Sequence, residues 1–403
     1  MITRGEQMLA LRRARLAASP PILRGGFRPF FFLGACWAVI ALALWMLAYS
    51  GNLVLPSALE PLIWHRHEML FGFVGAVIAG FLLTAIPNWT GRLPIAGWPL
   101  AGLVGLWAAA RLGVLFSAWM GMAAAAIIDV GFYFVLAGLA GREVMLANNR
   151  NLPPVALVFL MGVANAADHA GAAKLLADAD VGIRAAISIV VMLISLIGGR
   201  IIPSFTRNWM TKQGIKLRLP TQPTRFDLAV LVTTGLGLLG WITAPNAVAT
   251  GGLLIAAGFA QALRLSRWGG LRSVPDPLVL ILHIGYLWVP VGLLLLGASV
   301  LVTSIPRSAA IHALTAGAMA TMIVAVMTRV VLGHTGRALT ASPPTVLIYG
   351  LITLGAVLRV AASLRMLDYT IGMEVAAGAW AGAFALFLAI YGPILFRPRL
   401  GTD

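Results

Sequence analysis

The string Trp64-His65-Arg66-His67-Glu68-Met69 sets two imidazoles, a guanidinium and a carboxylate at the head of a long apolar run. Ionisable groups within a hydrocarbon layer must be paired, hydrated or bound to a metal, so such a string is a candidate site by default. Neutral imidazole binds iron, copper or zinc without adding charge, which suits a buried centre. The chain has only six histidines in 403 residues; the other four are His169, His283, His312 and His334. Its single cysteine, Cys36, excludes both a disulfide framework and paired-thiolate metal sites.

Hydrophobic residues make up 60% of the chain and charged residues 10%, whereas a soluble domain is about a quarter charged. The composition specifies a polytopic transmembrane helical bundle, all-α in class. A helix crosses the hydrocarbon core in about 20 residues. Twelve segments qualify, at about 27–49, 61–86, 98–116, 118–141, 153–172, 181–203, 226–243, 246–266, 277–301, 307–332, 343–364 and 371–391. The formal charge of +16 reads as Arg and Lys gathered in cytoplasmic loops rather than as a nucleic-acid surface.

With a cytoplasmic N-terminus, the loops on that side carry Arg92, Arg142, Arg150, Arg200, Arg207, Lys212, Lys216, Arg218, Arg225, Arg264, Arg267, Arg272 and Arg337. The opposite loops hold Lys174, Arg307 and Arg365 and little else, and Arg397 and Arg399 set the C-terminus inside too. This divides the chain into a basic tail at 1–26, one membrane domain at 27–391 and a second tail at 392–403, with Arg4, Arg12, Arg13, Arg15, Arg24 and Arg28 read as the charges of the first cytoplasmic tail. The tail has no signal-peptide core. No internal repeat stands out, and the absence of a GxxxxGK[ST] motif argues against ATP-driven pumping by this chain.

Rise along a helix turns sequence position into depth. His65 and His67 fall roughly 6 and 9 Å into span 2 from the outer side, while His169 closes span 5 and His312 opens span 10 on that side. These four form an expected outer group. His283 and His334 form an expected inner pair, since His312 and His334 lie roughly 33 Å apart on one unbroken helix. Helical phase turns His65 and His67 about 200° apart, toward different partners, and puts Glu68 and Met69 on the face of His65. Asn165 and His169 share a face at i, i+4, with Asp168 pointing elsewhere. Opposed axial imidazoles would hold a haem, and three with an open position would suit copper or zinc; spacing does not choose between them. The competing reading is interfacial histidines bonded to backbone and water.

Other charges lie near or within the spans: Arg66, Arg111, Arg184, Arg329 and Arg359, against Glu68, Asp129, Asp276, Asp368 and Glu374. Each needs a partner, a water path or an anionic ligand. Arg329, five residues before His334, is the expected haem-propionate partner, with snorkelling to headgroups as the alternative.

Several strings then become recognisable. Gly26-Phe27-Arg28-Pro29-Phe30-Phe31, Trp64 to Gly72, Gly199-Arg200-Ile201-Ile202-Pro203, Leu282-His283-Ile284-Gly285-Tyr286, His312 to Met319 and Leu332-Gly333-His334-Thr335-Gly336-Arg337 together resemble the NnrS family. The resemblance implies a bacterial inner-membrane protein of about twelve spans that carries haem, b type, and copper, and is tied to nitric oxide and nitrosative stress or denitrification. It makes His65, His67, His283, His312 and His334 candidate ligands. His169 rests on its depth instead. The activity that the resemblance implies is redox conversion or capture of nitric oxide, with haem-copper oxidoreductase as the enzyme class and the bilayer, nitric oxide and an unidentified electron donor as partners. The rival expectations are a transporter for haem, metal or a nitrogen compound, and a non-catalytic haem electron carrier or nitric oxide sensor.

Overall fold

The computed structural model describes residues 18–216, 219, 220 and 223–401, with Gln7, Ala10 and Ala14. Arg4, Arg12, Arg13, Arg15 and Arg218 lie outside the described residues. Every regular element described is helical. Twelve helices among the described residues are long and apolar enough to cross a membrane. They are α1 (Phe27–Tyr49), α2 (Pro61–Thr90), α3 (Trp98–Leu115), α4 (Met122–Leu146), α5 (Leu152–Ala172), α6 (Val181–Lys212), α7 (Arg225–Thr243), α8 (Val248–Ser266), α9 (Pro277–Leu301), α10 (Arg307–His334), α11 (Pro343–Ser363) and α12 (Tyr369–Leu395).

Hydropathy sets α2 and α6 too short. The helix α2 runs through Pro87 to a left-handed cap at Gly91, φ 67°, and α6 continues past Pro203 as a polar stretch ending at Lys212. Two residues counted as loop or tail charges are interior. Arg28 is 4% exposed and donates from Nη1 to the carbonyls of Leu395 and Arg397 at 2.7 and 2.8 Å, satisfying acceptors that the end of α12 leaves open. Arg264, in the last turn of α8, is 1% exposed.

The chain forms two compact units. Unit 1 comprises Met1–Ile183, Val330–Arg337 and Leu388–Asp403; unit 2 comprises Arg184–Arg329 and Ala338–Phe387. Each contains a helix interrupted by a π segment: Glu68–Val74 in α2 of unit 1, and in unit 2 both Ile194–Gly198 in α6 and Ala313–Met319 in α10. A switch between i→i+4 and i→i+5 bonding leaves carbonyls without their usual amide, and such segments recur at functional sites. In unit 1 those carbonyls have side-chain donors: Tyr133 Oη donates to Phe71 O at 2.7 Å, and Trp107 Nε1 donates to Gly72 O at 3.0 Å. In unit 2, Arg264 Nη1 donates to Ser195 O at 2.9 Å. Tyr133→Phe strands the buried carbonyl of Phe71, and the expected loss is about 1–3 kcal/mol, read as a lowered unfolding midpoint in detergent.

The π segments also reveal a repeat that the sequence alone does not. Pro61, His67, Gly72, Ile78, Thr90, Gly91 and Arg92 of α2 and its cap recur at one constant spacing as Pro306, His312, Gly317, Ile323, Thr335, Gly336 and Arg337. Each π segment begins one residue after the histidine, and Gly91 and Gly336 are both left-handed, φ 67° and 75°. The preceding helices repeat as well. A Cβ on Gly72 would lie 2.8 Å from the Trp37 indole nitrogen, and one on Gly317 would lie 2.5 Å from the Trp288 ring. Gly34 packs on Val77 as Gly285 packs on Met322. The pair α1–α2 is thus echoed by α9–α10, with identity confined to a few positions.

Candidate metal centre

The apolar faces of α2, α3, α4 and α5 bring six polar side chains into the interior of unit 1: His67, Glu68, Arg111, Asp129, Asp168 and His169, each at most 6% exposed. Asp129 is the hub. Its Oδ2 faces His67 Nε2 at 2.8 Å, His169 Nε2 at 3.0 Å and Asn165 Nδ2 at 2.9 Å, while its Oδ1 accepts from Arg111 Nη2. The other nitrogen of His67, Nδ1, faces Asp168 Oδ2 at 2.8 Å. Arg111 Nη1 and Trp37 Nε1 both donate to Glu68 Oε2, at 2.8 and 2.6 Å. Trp64 and Trp107 close the wall edge-on to Trp37, each with ring centroids 6.5 Å away. At the rim, Arg66 donates to Asp180 at 2.5 Å and lies 3.7 Å from Asp168.

Charge explains why these residues stay together. With the carboxylates ionised, Glu68, Asp129 and Asp168 face only two guanidiniums, Arg66 and Arg111. A buried charge without a partner is strongly unfavourable, so the interior calls for one more positive charge. Two imidazole nitrogens and a carboxylate oxygen, of His67, His169 and Asp129, lie within 4.8 Å of one another. Nitrogen lone pairs turned on a carboxylate repel it, so a cation must sit between them, either protons or a metal ion. Glu68 Oε1, Asn165 Oδ1 and His169 Nδ1 are buried and meet no hydrogen-bonding group of the protein, and native interiors leave few such atoms. The mixed nitrogen and oxygen donors suit copper, zinc or iron. They do not suit a haem held between His67 and His169. Those ring centroids are 4.6 Å apart and both Nε2 atoms meet one oxygen, which leaves no place for a macrocycle.

The remaining sequence candidates fall elsewhere. His65 stacks on Trp45 in α1, with centroids 4.0 Å apart, so His65 and His67 do serve different neighbours. Glu68, expected on the face of His65, meets α1 as His65 does, through Trp37, and a turn deeper than His65 it also pairs with Arg111 of α3. Asn165 and His169 share Asp129 as their i, i+4 spacing requires, and Asp168 reaches the same cluster from the far side of His67. Thr206 Oγ1 donates to Ile202 O at 2.9 Å, so it accepts from His283 Nε2 and leaves the His283 lone pair on Nδ1. His312 Nδ1 lies 2.7 Å from Ser308 O. His334 packs on Phe27, with centroids 5.6 Å apart. The Arg329 guanidinium lies 4.0 Å over the Phe205 ring. Sequence reading missed Trp37 and the role of Asp168 as the orienting carboxylate of His67; the i+1 adjacency of Asp168 and His169 was the available signal.

A family model described as NnrS protein matches residues 21–399. The chain belongs to the NnrS family. No curated protein matches it. NnrS membership carries a general haem- and copper-linked, redox-active membrane role, and with its twelve apolar helices this NnrS protein is a multi-pass inner-membrane protein.

Proposed function

We propose that this NnrS family member handles nitric oxide, by redox conversion or capture at a metal centre, in nitrosative stress defence or denitrification, with both termini cytoplasmic. The observation that carries the reading is the convergence of His67, Asp129 and His169 in a membrane interior. These three residues would hold copper, which supplies one-electron chemistry and a place for a nitrogen oxide to bind.

The chain's own groups set up that chemistry. Asp168 holds His67 Nδ1 and so aims Nε2 at Asp129, the carboxylate–histidine pairing that orients metal ligands. Arg111 pairs with Asp129 and Glu68 together and offsets one of their two negative charges, so a bound cation brings the centre toward neutral in a low-dielectric medium. Metal uptake releases a proton from any Nε2 that it takes over. Nitric oxide, small and uncharged, reaches such a site through hydrocarbon and needs no polar channel.

The test is metal and haem quantification of the purified protein, with optical and paramagnetic spectra before and after nitric oxide. Wild type should carry copper and change its spectrum with nitric oxide, while His67→Ala and His169→Ala should each lose that metal by at least tenfold, the scale set by removing a group that only orients a ligand. Full metal in both variants, or spectra that nitric oxide leaves unchanged, overturns the proposal.

A further inference from the structure

The repeat places two residues of unit 2 where unit 1 has its cluster. His312 is the counterpart of His67, one residue ahead of a π segment. Arg359 stands four residues from the end of α11, the helix that follows α10, as Arg111 stands four from the end of α3, the helix that follows α2. Their surroundings also correspond. Ala309 and Ala313 of α10 pack with Val360 of α11 in one apolar cluster, which brings together the helix turns that carry His312 and Arg359.

What differs is the charge. Arg111 meets Glu68 and Asp129, whereas the position of Glu68 is occupied by Ala313, buried and without a charge. The partners of Arg359 are neutral: Ser363 Oγ at 2.7 Å, and Tyr369, whose Oη is 3.4 Å away and whose ring centroid is 5.5 Å away. No carboxylate pairs with Arg359 among the described residues. The imidazole differs in the same sense. His67 has carboxylates on both nitrogens, but a carbonyl only accepts, so His312 Nδ1 donates to Ser308 O. In the neutral ring this leaves the lone pair on Nε2, the arrangement that prepares a histidine to ligate.

We infer that His312 and Arg359 form a second cofactor position, the counterpart of the unit 1 cluster, which takes a metal bearing its own carboxylates: haem, with His312 Nε2 as an iron ligand and Arg359 as the partner of a propionate. The unit 1 cluster carries its anions in the protein, and this position leaves the anion to the ligand. The propionate role expected of Arg329 passes to Arg359, since the Arg329 guanidinium covers the Phe205 ring. The inference rests on the haem-bearing part of the reading above and not on its nitric oxide chemistry, so failure with nitric oxide leaves it standing.

The test reconstitutes the haem-depleted protein with haem and with haem dimethyl ester, whose carboxylates are blocked, and follows binding by the Soret band. Wild type should prefer haem over its ester by about tenfold or more, the scale of one hydrogen bond to a charged group. Arg359→Gln should lose that preference and Arg359→Lys should restore part of it. His312→Met, which keeps a ligand of different character, should retain haem with an altered spectrum and a raised reduction potential. A preference for haem undiminished in Arg359→Gln overturns the propionate assignment. A His312→Met protein that folds with the wild-type spectrum and potential overturns the ligand assignment. If His312→Met does not fold, the Arg359 arms decide alone, and equal binding of haem and ester by wild type overturns the inference.

Discussion

Asp129→Asn is expected to strip the metal from the unit 1 centre and to destabilise that unit in one step. Asp129 Oδ2 faces His67, His169 and Asn165, and its Oδ1 accepts from Arg111. An amide of the same shape offers one acceptor and turns an NH2 on a neighbour that also donates. It also removes one negative charge from beside Arg111, which is buried. Breaking a buried charge pair on one side costs about 3–5 kcal/mol. Copper content and the unfolding midpoint in detergent should therefore fall together, whereas Asp129→Glu, with the charge kept, should lose metal but less stability. Wild-type copper content in Asp129→Asn would mean that the cluster is an ion-pair network held by protons alone.

Arg264→Leu should be the most damaging single change in unit 2. Arg264 Nε donates to Asp227 at 2.8 Å, and Nη1 donates to Ser195 O and Tyr286 Oη at 2.9 and 3.1 Å. Tyr286 Oη donates in turn to Gln261, which donates to Ser195 and Thr234. Leucine leaves Asp227 without its closest cation, with Arg267 3.8 Å away, and opens the π-segment carbonyl of Ser195. The expected loss is about 3–5 kcal/mol. Asp227→Asn in the same background should recover part of it, because the stranded charge disappears; equal midpoints for the single and double variants would show that the ion pair contributes nothing. The neighbouring space has no slack, since a Cβ on Gly199 would fall 2.0 Å from Arg264 Nη2.

The spans were legible because apolar length is read directly from composition, and the cluster was legible in part. His67 and His169 stood out as rare imidazoles in apolar runs, and i, i+4 spacing brought Asn165 to His169. Three things were not legible. Glu68 keeps the α1-facing side that it shares with His65, but spacing within α2 does not show that a guanidinium from α3 stands a turn deeper to meet it. Arg28 and Arg264 were counted as loop charges because hydropathy sees a charge at a span edge and not the carbonyl or carboxylate it meets inside. The repeat escaped notice because few side chains are shared between α2 and α10, and what they share is chiefly backbone geometry and the glycines it needs.

The make-up of unit 1 sets a timetable. Its bulk ends at Ile183, but it also includes Leu388–Asp403, and Arg28, one of the first membrane residues made, is satisfied by carbonyls of Leu395 and Arg397, among the last. At synthesis rates of about 5–20 residues per second, roughly 10–40 s separates Ile183 from Leu388. For that interval the helices carrying His67, Asp129 and His169 sit in the bilayer with their unit unfinished. The nascent protein thus has a window in which a metal can meet the cluster before Leu388–Asp403 completes the unit, and a ribosome that stalls after Ile183 leaves all of the cluster's residues in a unit that stays unfinished.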